Sequence, residues 1–346
     1  MDSSAQTWTS PLARTERGMS FGVLMPHFGT HASAARVLDG ARTIERLGFD
    51  AAWCRDHLLW HPHGHEESAD VTFLEPLVTL AAVGAVTSRI VVGTSVLIPV
   101  RSPLRLAQEF ATLGHLTGGR VHVGIGAGHE VAELVASGVD PARRRQTVIE
   151  TVELVRRLWA EDHVSFDGEI FRFEDITIRP QPRTQFPILF GGPSRSAVRI
   201  AAGHCDGWIA GIVPLTTLDT RLALLREVQA ESGRRLILNA VPRMRIGRDR
   251  ESVRSGLNVG RMFHEMTGNW LPRPGGYETL DDVRGAFFAG EPGDIVEAVL
   301  EYDRRGFDHF VFDLRDQFDR FEESLELIAE RVIPEVRAAT VGLAVG

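Results

Sequence analysis

From Phe21 onward, short apolar runs alternate with longer stretches of helical period. Residues 21–25, 51–54, 90–97, 121–125, 188–190, 207–210, 236–244 and 309–313 read as eight strands. Residues 90–97 are almost continuously apolar, as in a parallel strand buried on both faces. Helical patterns fall between them, at about 34–47, 74–87, 142–159, 194–203 and 321–338. Gly48 ends the first of these, as a C-terminal cap. A further helix follows residue 102, with Ser102 as cap, Pro103 in its first turn and Gly118-Gly119 at its end. In it, Leu106, Phe110 and Leu113 line up at i, i+4 and i+7 as one buried stripe. Residues 164–173, with Asp167-Gly168 at their centre, predict a β-hairpin inserted between strand–helix units. Eight strands, each followed by helical pattern, predict a (β/α)₈ TIM barrel, with a doubly wound open sheet as the alternative. The reading is one domain over residues 19–340, with insertions near 163–180 and 258–290. Residues 1–18 are polar and are expected to form a disordered N-terminal extension.

Composition narrows the function more than the fold. The chain has 346 residues, 43% hydrophobic and 24% charged, enough for a sizeable core. Its net charge of −8, without a basic tract, argues against nucleic-acid binding. No stretch approaches the roughly 20 apolar residues of a membrane span. Two cysteines, Cys54 and Cys205, imply no disulfide framework, so a reducing cytoplasm is the expected compartment. All 38 basic residues are arginine. The absence of lysine excludes Schiff-base and pyridoxal-phosphate chemistry, lysine-tipped phosphate loops and protein kinases.

In such a barrel the active site lies at the C-terminal ends of the strands. His27 and Phe28 follow the first strand and Arg55-Asp56-His57 the second, with Trp60 and His61 close behind. Gly124-Ile-Gly126-Ala-Gly128-His129 follows the fourth and Gly191-Gly192-Pro-Ser194-Arg195 the fifth. The last stretch suits an anion: two glycines let the backbone approach, and Ser194 caps a helix whose N-terminus carries partial positive charge. Gly126 and Gly128 would let a flat ring lie against the backbone, since the spacing is wrong for a dinucleotide fingerprint. An aspartate beside a histidine, as in Asp56-His57, can orient the ring and raise its basicity. The rival signal is His63 and His65 with Glu66 and Glu67, a possible zinc loop in a hydrolase; Pro62 and Gly64 interrupt it and no later strand end completes a ligand set. Cys54 lies within a strand, as a core thiol would.

Together, residues 21–26, 47–57, 87–96, 116–128, 164–168 with 179–182, 187–192 with 205–208, and 290–293 resemble the bacterial luciferase-like superfamily, most closely its F420-dependent oxidoreductases. The resemblance runs over about residues 20–334. It implies a barrel with a deazaflavin, coenzyme F420, across the strand ends, or FMN in the alternative reading. It implies a non-proline cis peptide within Thr94-Ser95-Val96, behind the ring, and cofactor contacts from Asp56, Gly126, Gly128, Gly191, Gly192, Ser194 and Arg195. His57 or His129 would then be the proton donor, with Asp56 beside it; position 129 often carries Trp or an acid in the family. His27, Phe28, Trp60 and His61 would shape the pocket for a small organic substrate. The implied reaction moves a hydride between the deazaflavin C5 and an electron-poor carbon of a carbonyl, imine or activated alkene. The alternative is a two-component FMN-dependent monooxygenase. A homodimer and a separate F420 or flavin reductase are the partners the resemblance implies.

Overall fold

A computed structural model describes residues 10–16, 18–59, 72–264, 271, 273 and 275–341. Its centre is a closed barrel of eight parallel strands: β1 (Ser20–Leu24), β2 (Ala51–Cys54), β3 (Val91–Thr94), β4 (Val121–Gly126), β5 (Ile188–Gly191), β6 (Gly207–Ile209), β7 (Ile237–Ala240) and β8 (His309–Phe312). Each strand pairs in parallel with the next, and β8 returns to β1. The crossovers carry α1 (Ala34–Arg46), α2 (Pro76–Val86), α3 (Pro103–Thr117), α4 (Arg144–Ala160), α5 (Arg195–His204), α6 (Leu215–Ser232) and α7 (Pro292–Arg304). The expected (β/α)₈ barrel is therefore the fold, and the open sheet is not.

Local chemistry explains most boundaries. In α3, Leu106, Phe110 and Leu113 are buried, and the helix stops at Gly118, whose φ of +67° lies in the left-handed region. Ser102 occupies the cap position, but its hydroxyl makes no cap bond, so Pro103 sets that first turn. The hairpin forms as Val164–Asp167 against Arg172–Ile176, three residues longer than its pattern suggested. The 236–244 run does not stay one strand. It breaks at Val241-Pro242, and a separate strand, Arg243–Ile246, leaves the barrel to pair with Phe287–Gly290 at the end of the 258–290 insertion. Proline removes the N–H that would have continued the β7 ladder.

The barrel interior is polar at its base. Trp53 fills space left by Gly22 and Gly93; a Cβ on either would lie within 2.7 Å of the indole. Its Nε1 donates to His309 Nε2 at 3.0 Å, which leaves His309 Nδ1 to donate to Ser20 Oγ at 2.7 Å. Burial pushes the pKa of His309 well down and that of His122 to about 3, so both rings are neutral. The residue 1–18 extension is not disordered where it is described. Leu12 is fully buried, Ser10 Oγ lies 3.0 Å from His122 Nε2, and Arg14 pairs with Asp303 at 2.8 Å, so residues 10–16 close the base of the barrel. The polar pattern concealed a single apolar anchor, Leu12.

Candidate active site

The mouth of the barrel is built around a bulge after β3. The peptide bond between Ser95 and Val96 is cis, and the strand expected over 90–97 ends at Thr94. Thr94 holds the bulge from below: its Oγ1 donates to Gly124 O at 2.8 Å and accepts from Gly124 N at 3.0 Å. Ser95 N donates to Cys54 O at 2.7 Å, and Leu97 then rejoins β4 through bonds to Gly124 and Gly126. Thr94 is thus buried support, whereas Ser95 and Val96 are half-exposed at the mouth. Val96 sits in a notch made by two glycines. A Cβ on Gly126 would come within 2.6 Å of Val96 Cγ2, and one on Gly191 within 2.5 Å of Cγ1. Gly128 similarly makes room for Ile98, 2.5 Å from where its Cβ would be. Gly126 and Gly128 were expected to admit a ligand ring directly. They instead admit side chains of the bulge, and Ser95 and Val96 form the platform.

Beside the platform lies the Gly191-Gly192-Pro193-Ser194 turn. Ser194 caps α5 as expected, accepting from Ala197 N at 3.0 Å. Gly192 has a φ of +147°, which favours glycine. Arg195 is exposed in the first turn of α5. Arg221, from α6, donates through Nε to Pro193 O at 2.8 Å; partial burial and then the charge of Arg195 lower its pKa. Two like charges held together at a helix N-terminus suit an anion. Sequence reading missed Arg221, which lies 26 residues beyond Arg195 on another helix. A half-exposed platform backed by a glycine notch, with a cationic turn beside it, fits a planar ring carrying an anionic tail.

Across the mouth, His57 is held by a carboxylate, but not by Asp56. Its Nδ1 donates to Glu133 Oε1 at 3.1 Å. The same carboxylate accepts from Leu58 N at 2.8 Å and Leu59 N at 3.1 Å. Glu133 comes from the short helix Val131–Ala136 after β4 and is buried. Asp56 is committed elsewhere: Arg101 grips it with two hydrogen bonds of 2.5 and 3.0 Å, and Ile98 N adds a third at 3.0 Å. The expected Asp56–His57 unit and the cofactor contact from Asp56 are therefore replaced. Asp56 anchors the chain just past the bulge, and Glu133 orients His57. A charged residue on a buried face of a short helix, beside buried Leu134, was the available signal for Glu133. His129 stands edge-on to His57, ring centroids 6.0 Å apart, and is exposed with its Nε2 3.6 Å from Glu130.

Two expected pocket residues are core instead. His27 is fully buried, with Nδ1 2.9 Å from Met25 O and Nε2 2.9 Å from Arg55 O, and burial pushes its pKa down to about 4. Phe28 is buried against Phe73, Phe318 and the guanidinium of Arg55, 4.7 Å from its centroid. Trp60, His61 and the His63–Glu67 loop lie outside the described residues. Among the described residues no group of three His, Cys, Asp or Glu is placed to hold a metal ion. Cys54 is a buried core thiol whose pKa burial pushes well up.

The luciferase-like monooxygenase family model matches residues 19–309. The chain belongs to that family. Within it, the chain is 32% identical over 339 residues to an F420-dependent glucose-6-phosphate dehydrogenase of Nakamurella multipartita, an alignment covering 90% of this chain and 96% of that enzyme. Among solved structures, a monooxygenase of Streptomyces bottropensis, RslO1, superposes with a TM-score of 0.74 at 25% identity, covering 92% of this chain and 99% of that one. An F420-dependent secondary alcohol dehydrogenase, solved with an F420–acetone adduct, superposes with a TM-score of 0.76 at 20% identity over 92% of this chain and 98% of its own, a likeness of fold.

Proposed function

We propose that the protein is an F420-dependent oxidoreductase that interconverts a hydroxyl and a carbonyl on a small organic substrate. The observation that carries this reading is the His57–Glu133 pair, set across the mouth from the Ser95–Val96 platform. The platform residues with Gly191, Gly192, Ser194, Arg195 and Arg221 would hold the cofactor. When bound, F420 supplies a ring carbon that accepts or gives a hydride.

The rest of the chemistry falls to this chain. His57 Nδ1 is committed to Glu133, so proton exchange with the substrate oxygen runs through Nε2. In the oxidative direction the imidazole takes the hydroxyl proton as the carbon loses its hydride. In the reductive direction the imidazolium returns that proton to the carbonyl oxygen. Glu133 fixes the ring orientation and offsets the charge of the imidazolium. Its bonds to Leu58 N and Leu59 N keep the carboxylate in place throughout. His129, edge-on to His57, is the second candidate for proton exchange and is open to water. F420-dependent dehydrogenases among the relatives support a hydroxyl substrate over a bare alkene or imine.

The test is a side-by-side fluorescence titration of the purified protein with F420 and FMN, followed by F420 absorbance with a panel of alcohols. Tight F420 binding with weak FMN binding, and turnover lost in His57→Ala, is the expected result. Tight FMN binding with oxygen uptake would overturn it in favour of a two-component monooxygenase.

A further inference from the structure

The opposite wall of the mouth carries an arginine cluster that the proton-transfer chemistry leaves unused. Arg243 and Arg245 lie on the strand that leaves the barrel after β7. They are two residues apart, so they share one face, while Met244 and Ile246 are buried on the other. Arg243 bridges in register to Asp313 at the end of β8, and Met244 N donates to Asp313 O at 2.9 Å. Arg315 follows directly. The three arginines meet two carboxylates. Arg315 takes Asp313 through its Nε and Nη2, and Arg243 takes Asp316 with bonds of 3.0 and 2.5 Å. Asp316 is held below the usual carboxylate range against its burial by Arg243, Arg315 and Arg245, so all three charges converge on it. Arg245 has no carboxylate of its own among the described residues. Its Nε is buried with no hydrogen-bond partner.

A buried guanidinium donor without a partner is costly unless something else fills its direction. The surrounding charge says what kind of group that is. Among the described residues three arginines face two aspartates, and Arg55 stands across Phe28, whose ring lies 4.7 Å from Arg55 Cζ and 5.7 Å from Arg315 Cζ. The cluster also adjoins the proton-transfer pair. His57 packs on Phe73 with ring centroids 5.4 Å apart, and Phe73 on Phe28 at 5.2 Å.

We infer that Arg245, with Arg243 and Arg315, seats an oxyanion of the substrate, a phosphate or a carboxylate, on the far side of the mouth from the cofactor turn. The substrate is then a hydroxy compound with an anionic end, and the arginines set its orientation before the proton moves. Arginine suits this task because its planar fork meets two oxygens at once. This inference rests on the proposed redox reading, and the F420-free titration below separates the failure of one from the failure of the other.

Inorganic phosphate is titrated by calorimetry into wild-type protein saturated with F420, so that the cofactor turn is already filled, and into Arg245→Gln. The expected result is at least about tenfold weaker phosphate binding in the variant with F420 affinity unchanged, the loss of one charge-assisted contact. Phosphate binding equal in both proteins, or absent from the wild type, overturns the site. The second test compares matched alcohols with and without an anionic end: glucose 6-phosphate with glucose, and lactate with 2-propanol. A preference for either anionic partner that collapses through KM in Arg245→Gln supports the site, and the pair that responds tells phosphate from carboxylate. Equal turnover of the neutral alcohols overturns it. If F420 itself fails to bind, the redox reading falls, and phosphate binding to the F420-free protein, compared in Arg195→Gln and Arg245→Gln, still decides the arginine site: loss in Arg245→Gln supports it and loss in Arg195→Gln alone refutes it.

Discussion

The two halves of the barrel mouth are built by opposite means. On the side of β3, β4 and β5, side chains are taken away. Gly126 and Gly191 clear a notch, Val96 fills it, and a half-exposed platform results. On the side of β7 and β8 charge is added instead: Arg243, Arg245 and Arg315 gather around Asp316, and Arg55 lies across the Phe28 ring from Arg315. A surface shaped by missing atoms tolerates one flat partner and little else. A surface shaped by long charged side chains can accept anions of several shapes. The contrast fits a site in which the cofactor is fixed and the substrate is not. His57 follows β2 and Glu133 follows β4, so their hydrogen bond joins the two halves.

Substitutions can separate the halves, and the largest effect should come from the residue between them. His57→Ala is expected to lower kcat by about 10²–10⁴-fold, the usual worth of a positioned acid–base group, while F420 affinity measured by fluorescence stays unchanged. An equal loss of cofactor affinity would place His57 in the glycine half. Gly191→Ala should come next. Its Cβ would meet Val96 Cγ1 at 2.5 Å, so stability should fall by about 1–3 kcal/mol and F420 should bind more weakly. Adding Val96→Ala should restore part of both, and a chemical-denaturation series on the four proteins reads the coupling. Glu133→Gln should cost roughly 10-fold in kcat, the scale of one charge-assisted hydrogen bond, and shift the pH–rate profile, because an amide cannot offset the imidazolium charge. A structural role alone would leave that profile in place.

A last effect should touch both halves alike. The folded pKa values of His27 and His122 are pushed by burial to about 4 and about 3, and that of His309 is pushed well down by burial as well. Unfolded histidine titrates near 6.5. Protons therefore bind the unfolded chain first as pH falls. The stability these rings contribute is complete above about pH 6.5 and is lost below it, toward the folded values, at up to about 1.4 kcal/mol per pH unit for each ring. Thermal unfolding from pH 7.5 to 5 checks this.

Much of the glycine half was legible in the sequence, because its signals are local. Gly-Gly-Pro-Ser before a helical run declares a turn and a cap. A continuous apolar run declares a buried strand, and the family resemblance narrowed the cis bond to two peptides, one of which holds it. The arginine half was hidden. Arg243 and Asp316 are 73 residues apart, and Asp56 and Arg101 are 45 apart. Periodicity reports which side of an element is buried, not which distant charge it meets. Asp56 was therefore paired with its neighbour His57, when Arg101 and Glu133 had divided the two between them. The Pro242 break was readable as a single residue but was outweighed by the apolar run around it. Leu12 was one apolar residue in a polar stretch, and its burial depends on a cavity that only the closed barrel creates.

The break at Pro242 has a consequence for how this scaffold can change. Arg243 and Arg245 ride on a two-stranded ribbon whose other member is Phe287–Gly290, not on a stave of the barrel. If Arg245 seats the substrate anion, exchanging that ribbon should change what the enzyme accepts while the closed ring of eight strands stays intact. The cofactor half has no such freedom, since Gly124, Gly126 and Gly191 are themselves staves and each is pressed against the bulge. New substrate ranges are therefore to be sought by grafting at this seam, with the chain before Ala240 kept as it is.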